Sequence, residues 1–433
     1  MKKLIFISAT VLFAKASIGQ QQVQANGELK GLINQSFSYF PRIKEAENNV
    51  ITAEQRVDIA GIRMPDISAS GGYDYVKPKI ELPLPFGPNG ELTNFLFAPI
   101  HNVKAGVNAG YELLDFGRIK SNVEKAKTDL QYAKHNVEYV RTQLAYQVSN
   151  IYYNIVYFQK AISIQDSVLS FLNENKRVVE SKLKNGDAIK IDLLNIQANI
   201  DAEQNTKINL QNQLQKQFNL LTYTTGTQQT QDTAFDFDLA QRDAEAALRE
   251  AQASNLDFVL ANDKIKQAES DVKVASLADK PSVDIHASGG AKNGYVPAVN
   301  EVKLNYAAGI SLNIPIYNGD RMRKQVKLQQ NIVRQNQLAI ETMSNTYRKD
   351  IQQALTDIST NQESIKNTYT QIEQTKVAEQ IAASRFMNGA GTNLDLTNAS
   401  ANYQRALYTQ LQYQYQLCLA KVELARLMGY KYW

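Results

Sequence analysis

Few residues in this chain could do chemistry, and those few stand far apart. Asp115-Phe116-Gly117 has the letters of the magnesium-binding motif of protein kinases. No glycine-rich loop precedes this triplet, and no catalytic His-Arg-Asp triplet accompanies it. The chain has three histidines and one cysteine without ligand-like spacing, namely His101, His135, His286 and Cys418. Since no Walker-type phosphate loop occurs either, the sequence predicts a protein that is not an enzyme and uses no metal or cofactor.

The landmarks of the chain occur twice. Residues 105–226 align with residues 308–429 without a gap, so that Asn185-Gly186 falls on Asn388-Gly389. A duplication of this length predicts a two-repeat architecture. It also argues against a catalytic role for any single residue in the repeated part.

The first residues have the pattern of an export signal. Met1-Lys2-Lys3 is a positive start, Leu4–Ala14 is a short apolar stretch, and Ser17-Ile18-Gly19 is a small-residue cleavage site. Residues 1–19 are therefore predicted to be a signal peptide, and no cysteine follows the cut to carry a lipid. Because no later run of about 18 apolar residues occurs, we expect a periplasmic, secreted or outer-membrane β-barrel protein.

Composition excludes one class of partner and indicates a packing role for the cysteine. A formal net charge of +4 over 433 residues, without a block of Lys and Arg, gives no reason to expect nucleic-acid binding. Cys418 stands among Leu417, Leu419 and Ala420 in a helical stretch, which favours packing over chemistry.

Period-2 alternation predicts four β-strands in two hairpins. The clearest strand is Val302–Ile316, and Asn102–Leu113 is its counterpart in the first half. A weaker strand precedes each of them, after Pro65 and Pro281. Each strand approaches the ~9–11 residues that cross a membrane at a tilt. We interpret one face as lipid-facing, with a small soluble sheet as the alternative; this face carries Val302, Leu304, Tyr306, Ile310 and Leu312.

Long helical hairpins follow the second strand of each half. Heptad spacing predicts a coiled-coil seam along Leu144, Val148, Ile151, Ile155, Phe158, Ile162, Leu169 and Leu172. Some 70 residues without a helix breaker give a rod on the order of 100 Å, and Asn-Gly turns reverse the chain. The remaining helix faces are rich in Gln, Asn, Ser and Thr. They fit either a solvated coiled coil or a water-filled lumen.

These patterns divide the chain into a leader, two repeats and a connection. The connection Pro78–Pro99 is predicted to be a long exposed loop. The predicted segments are a signal peptide (1–19), a first repeat (20–226) with a helix, a β-hairpin (66–113) and a helical hairpin (115–221), a linker (227–238), and a second repeat (239–433) with a helix, a β-hairpin (282–316) and a helical hairpin (320–427).

Four strands pose a physical problem, because membrane barrels start at about eight strands. An open sheet edge in lipid would leave N–H and C=O groups unpaired at several kcal/mol each. Several chains must therefore pool their strands. The predicted fold class is mixed α and β, with a trimeric 12-strand β-barrel continued by an α-helical barrel.

The order and spacing of these elements resemble the TolC-type outer-membrane efflux proteins, or outer membrane factors, over nearly the whole mature chain. The residues that carry the resemblance are Leu114-Asp115-Phe116-Gly117-Arg118, Ile314–Arg321, Arg385-Phe386, Asn388-Gly389 and Asp395-Leu396. The resemblance implies a homotrimer in the outer membrane that extends into the periplasm. It further implies a passive duct that docks, through its rod tips, onto a periplasmic adaptor (membrane fusion) protein and an inner-membrane pump.

The resemblance also implies sites near the rod tips. Family members place acidic residues on the inner return helix, and Asp395 matches such a position, whereas Asn398 stands one turn on in place of a second acid. We expect a periplasmic gate there, with a simple helix N-terminal carboxylate as the alternative for Asp395. Adaptor contact is expected at the turns, against a purely structural role, through Asn185, Gly186, Arg385, Asn388 and Gly389.

Two other functions stay open from the sequence alone. One is the outer-membrane component of a type I protein secretion system, and the cargo of the duct could be drugs, metals or proteins. The other, from a different class, is a periplasmic coiled-coil scaffold without a pore, which explains the rods but leaves the alternation at Val302–Ile316 without a role.

Overall fold

The computed structural model describes residues 23–85, 90, 92–228, 230, 234–240 and 242–433, and the predicted signal peptide lies outside them. The elements are, in chain order, β1 (Val23–Gln24), α1 (Gly27–Tyr39), α2 (Pro41–Gly61), β2 (Asp66–Tyr75), β3 (Glu81–Leu84), β4 (Thr93–Leu96), β5 (His101–Leu114), α3 (Arg118–Asn185), α4 (Lys190–Thr225), β6 (Asp238–Leu239), α5 (Ala244–Ser254), α6 (Leu256–Leu277), β7 (Ser282–Lys292), β8 (Lys303–Asn313), α7 (Arg321–Met387) and α8 (Asn393–Met428). Within these residues, no helix is both long and apolar enough for a membrane span.

These elements form two compact units, and each unit takes residues from both halves of the sequence. The strand unit consists of residues 49–133 and 263–338. The hairpin unit consists of the described residues within 23–48, 134–262 and 339–433.

The strand unit contains an antiparallel sheet with the strand order β2-β5-β7-β8. The two predicted hairpins are present as β2 with β5 and β7 with β8, and pairing of β5 with β7 joins them. The last strand is shorter than predicted, since β8 ends at Asn313 instead of Ile316. Pro315 lacks the N–H that a ladder needs, and Val302 lies just before the strand.

The predicted long exposed loop over Pro78–Pro99 contains two short strands that the sequence did not indicate. Strands β3 and β4 form a small hairpin there, in which Leu82 is the partner of Phe95. The rings of Phe95 and Phe97 also pack edge to face at 5.0 Å. This segment is rich in proline and glycine, which obscured two short strands of four residues each.

The Asp115-Phe116-Gly117 triplet forms a corner between strand and helix. The Asp115 carboxylate accepts hydrogen bonds from the backbone N–H groups of Gly117 at 3.1 Å and Ile119 at 2.6 Å, which caps α3. Phe116 and Gly117 have φ angles of 50° and 94°. The triplet is thus a turn, and its likeness to the kinase motif is limited to its letters.

Long helices dominate the hairpin unit, and the two longest, α3 and α7, begin in the strand unit. Helix α3 has 68 residues and α7 has 67, and each is followed by a return helix of 36 residues. Most of the predicted seam is buried, namely Leu144, Val148, Ile151, Ile155, Leu169 and Leu172, whereas Phe158 and Ile162 are half-buried. Cys418 is buried as well, and burial raises the pKa of its thiol to about 12, which agrees with packing.

Two helices and a second pair of short strands were not predicted either. Helix α1 is capped by the Asn26 side chain, and α5 is capped by the Asp243 side chain. Strand β1 pairs with β6, which begins at the end of the predicted linker. Phe237 of this linker is buried and packs edge to face on Tyr153 at 6.4 Å. In its described part, the linker therefore packs on helix α3.

Candidate functional site

One face of the four-stranded sheet is apolar and open to solvent in the single chain. Pairing places Tyr111, Ile285 and Ile310 side by side across three strands. On the edge strand β8, Leu304 is 90% exposed and Tyr306 is 92% exposed. An exposed apolar surface of this kind marks contact with a membrane or a partner. The predicted lipid-facing residues of β8 do share this face, and the lipid contact itself stays a prediction.

The opposite face of the same sheet is polar or small. Asn108 and Ser288 are partners there, and the Asn108 side chain donates to the Ser70 hydroxyl at 3.4 Å. The sheet is therefore amphipathic across its thickness. Its two outer strands, β2 and β8, have a partner on one side only within the described chain.

Strands β5 and β7 approach closely at a pair of glycines. Gly106 is the register partner of Gly290. A Cβ on Gly290 would lie 2.3 Å from the Ala105 carbonyl oxygen and 2.7 Å from the Gly106 Cα. Both are backbone atoms that cannot rotate away, so only glycine fits at position 290.

In each helical hairpin, a turn joins the long helix to the return helix, and the two turns have the same hydrogen-bond pattern. After α3, Gly186 has a φ of 82° and the Asp187 N–H donates to the Lys182 carbonyl at 2.8 Å. After α7, Gly389 has a φ of 73° and the Ala390 N–H donates to the Arg385 carbonyl at 2.9 Å. Both are Schellman endings, which need glycine at the left-handed position.

An apolar cluster packs the two hairpins together near these turns. Its buried members, from α3, α4, α7 and α8, are Val179, Ile196, Phe386 and Leu396. The Lys182 ammonium also lies 5.0 Å from the centre of the Phe386 ring. Beside the cluster, the Asn175 amide donates to the Asn393 side chain at 3.2 Å. The structure thus brings the two predicted tips together.

The predicted gate residues lie on an exposed face of α8. Asp395 and Asn398 are three residues apart, which places them on one side of the helix. The Asp395 carboxylate accepts from the Thr392 hydroxyl at 2.8 Å and the Thr392 backbone N–H at 3.1 Å. These hydrogen bonds hold the pKa of Asp395 below its usual value, with a smaller effect of Arg385. In the single chain, the Asp395 side chain therefore caps the N-terminus of α8, which is the simpler alternative to a gate.

The predicted adaptor-contact residues are all exposed. Asn185 and Gly186 form the first turn, and Asn388 and Gly389 form the second. The Arg385 guanidinium donates to the Ala390 carbonyl at 3.2 Å, so it stabilises the second turn. Their exposure leaves them available to a partner.

Sequence reasoning missed a buried polar network between α3, α4 and α8. Gln165 is fully buried, and its amide donates to the Glu203 carboxylate at 2.6 Å. The Tyr408 hydroxyl donates to the Gln165 side-chain oxygen at 2.7 Å and sits 3.2 Å from the Ala161 carbonyl. Burial raises the pKa of Tyr408 to about 12, so it remains a neutral donor. Such a network ties one hairpin to the other.

We expect Tyr408→Phe to lower the free energy of unfolding by about 1 kcal/mol, because Gln165 loses a buried hydrogen-bond donor. Tyr413→Phe on the same helix is the matched control, since no described residue hydrogen-bonds its hydroxyl. Thermal unfolding of the detergent-solubilised protein, followed by circular dichroism, measures both variants. Equal midpoints for the two variants would show that the network adds no stability.

Across the part of the chain that the structure describes, no group of three or more His, Cys, Asp and Glu side chains is placed to hold a metal.

Comparison with known proteins identifies the arrangement. The model of the outer membrane efflux protein family matches residues 32–227 and 247–430. The outer membrane protein VceC of Vibrio cholerae is 19% identical, with coverage of 94% of this chain and 97% of its own and a TM-score of 0.74. The CmeC outer membrane channel of Campylobacter jejuni is 16% identical, with coverage of 99% of this chain and 94% of its own and a TM-score of 0.75. The open state of the Neisseria gonorrhoeae MtrE outer membrane channel is 18% identical, with coverage of 95% of this chain and 91% of its own and a TM-score of 0.73.

At these identities the structures establish a shared fold, mixed α and β and mostly helical. No curated protein matches the chain.

Proposed function

The chain belongs to the outer membrane efflux protein family, and from this premise we propose that three copies assemble into one passive duct. The family membership confirms the predicted outer-membrane efflux channel and its location in the outer membrane with an extension into the periplasm. It also fits the prediction of a non-enzyme. A type I secretion component and a pore-free scaffold are not favoured.

The observation that carries the trimer is the four-stranded sheet with one apolar face and two edge strands. A single sheet of this size cannot close on itself, and lipid cannot satisfy its edges. If β8 of one copy pairs with β2 of the next, three copies give a 12-strand barrel without an edge. The apolar side chains of β8 then face lipid, and the polar face lines the lumen.

The repeat within each chain supports a helical continuation of this barrel. Both halves contain a long helix, a Schellman turn and a return helix. Three copies would place these hairpins around a common axis with near six-fold symmetry. We propose that the Gln- and Asn-rich helix faces line this conduit, and that the exposed turns at Asn185-Gly186 and Asn388-Gly389 contact a periplasmic adaptor that links the duct to an inner-membrane pump.

We further propose that Asp395 and Asn398 narrow the periplasmic end of the duct. Asp395 is exposed on α8, and its lowered pKa keeps it negative at neutral pH. Three copies would form a ring of carboxylates around the axis, which attracts cations and narrows the opening.

Asp395→Ala should raise single-channel conductance or weaken cation block in planar bilayers, because the ring loses its charge. Asp192→Ala is the matched control, since Asp192 accepts from the Ile189 backbone N–H at the start of α4, as Asp395 does at the start of α8. A loss of helix capping alone would affect both variants alike. Traces of Asp395→Ala that equal the wild type would count against the gate.

Membrane fractionation tests the proposed function as a whole. We expect the mature protein in the outer-membrane fraction, as a trimer that dissociates only on heating in detergent. A soluble periplasmic monomer would refute the channel and favour a scaffold.

A further inference from the structure

Three lysines stand abreast on the polar face of the sheet. Lys104 of β5 is the register partner of Lys292 of β7, and Lys292 is in turn the partner of Lys303 of β8. Register partners on one face have Cβ atoms about 4.5–5.5 Å apart. All three side chains are exposed. We call these three residues the lysine row.

The row costs stability in the isolated chain, because like charges directly opposite each other repel. The outer two lysines have partial compensation. The Lys104 ammonium lies 3.6 Å from the Asp74 carboxylate, and the Lys303 ammonium lies 3.8 Å from that of Glu301. Lys292, between them, has no carboxylate partner among the described residues, and its ammonium lies 5.3 Å from the centre of the Tyr295 ring.

The surroundings hold the row in place. Gly72 leaves room for the Lys104 chain, since a Cβ there would lie 2.7 Å from the Lys104 Cε. The Asn293 side chain accepts from the Val103 N–H at 2.9 Å and donates to the His101 carbonyl at 2.6 Å. The Gly294 N–H donates to the Val299 carbonyl at 2.8 Å, which closes the loop between Lys292 and Lys303.

Charge on this face changes sign along the strands. At the end that leads into the helices, Glu112 is the register partner of Asp284. The lysine row occupies the other end, where the loops after β2 and β7 connect each hairpin. In the duct proposed above, the end of the sheet with the β-hairpin loops points away from the periplasm. The row therefore lies at the outer mouth, facing the lumen because its face is opposite to Leu304 and Tyr306.

We propose that the lysine row, contributed by all three protomers, forms a basic collar that binds dissolved polyvalent anions at the outer mouth of the duct. This inference rests on the proposed trimeric channel. Ammonium groups at this spacing suit carboxylate- and phosphate-bearing solutes. A collar with an excess of positive charge between low-dielectric walls raises the local concentration of counter-ions. Anionic solutes would thus collect there, while cations would meet a barrier.

Block of single channels by inositol hexakisphosphate, added separately to each side of a planar bilayer, tests the collar. The wild type should be blocked more strongly from one side. In Lys104→Gln/Lys292→Gln/Lys303→Gln, the half-blocking concentration on that side should rise about tenfold or more. The wild-type block should also weaken from 0.15 M to 1 M salt, since the Debye length falls from about 8 Å to about 3 Å.

Two further variants keep the test decisive. Lys292→Gln alone breaks no ion pair and should still raise the half-blocking concentration. Lys280→Gln is the matched control, because this exposed lysine precedes β7 at the opposite end of the sheet. Equal block of the wild type and the triple variant would overturn the collar. Loss of membrane insertion by the triple variant, without a change in block, would overturn it as well, because it would indicate that the lysines bind lipid headgroups. Absence of any conductance would refute the proposed channel itself.

Discussion

Ile310→Asp is expected to prevent assembly in the outer membrane. Ile310 is 70% exposed in the single chain and shares its face with Ile285 and Tyr111. If this face meets lipid, a carboxylate there is unfavourable in each copy, at a cost below the about 2–4 kcal/mol of an Arg or Lys at the bilayer midplane. The cost is incurred three times in a trimer. The variant should therefore lose heat-modifiable trimers and accumulate as unassembled periplasmic chain.

Asn305→Asp is the matched control for this prediction. It places the same carboxylate on the same strand, but on the opposite, polar face. Trimer yield in outer-membrane fractions, resolved on gels with and without heating, compares the two. If Ile310→Asp assembled as well as Asn305→Asp, the apolar face would not be the lipid face.

Gly290→Ala is expected to have a comparable effect through packing. The added methyl group would lie 2.3 Å from the Ala105 carbonyl oxygen, so β5 and β7 would have to separate. Overpacking costs about 1–3 kcal/mol where side chains can adjust, and occasionally more. Here the obstacle is backbone in the middle of the sheet, and separation would break the link between the two hairpins. We expect little or no trimer.

Its neighbour Gly289 supplies the control for the glycine prediction. A Cβ on Gly289 would have no described atom within 4 Å. Gly289→Ala should therefore assemble normally in the same fractionation. Normal assembly of both variants would show that the strands have more room than the structure gives them.

The strands could be predicted because pleating imposes a period of two on any sheet with one apolar face. The alternation from Leu304 to Leu312 therefore identified β8 and its exposed face. The same signal continued to Ile316, past the last residue of the strand, Asn313. Hydrophobic pattern alone carries no information on where the ladder stops.

The tips could be predicted as turns, because Asn-Gly is a strong helix terminator and occurs at equivalent places in both halves. Their packing could not. The contact of Phe386 with Val179 joins residues that are distant in sequence, and it depends on how the two hairpins align. Likewise, Gln165 has the same letter as the many solvated glutamines of these helices. Its burial arises only where three helices meet.

The lysine row depends on register, which the sequence does not reveal. Lys104, Lys292 and Lys303 belong to three strands, two of them in the second half of the chain. A shift of one residue in the β5–β7 pairing would place Lys104 and Lys292 out of line. The same holds for the contact of Gly106 with Gly290. The alternation predicts on which face of the sheet a residue lies, whereas only the structure shows which residue lies opposite it on the next strand.

The central claim is that three chains pool their strands into one barrel, and the mass of the intact assembly tests it most directly. Native mass spectrometry of the protein extracted from outer membranes in detergent should give three copies of the mature chain. An assembly of one or two copies would contradict the account. One copy supplies only a four-stranded sheet, and two copies would close a smaller barrel without the near six-fold arrangement of the helical hairpins.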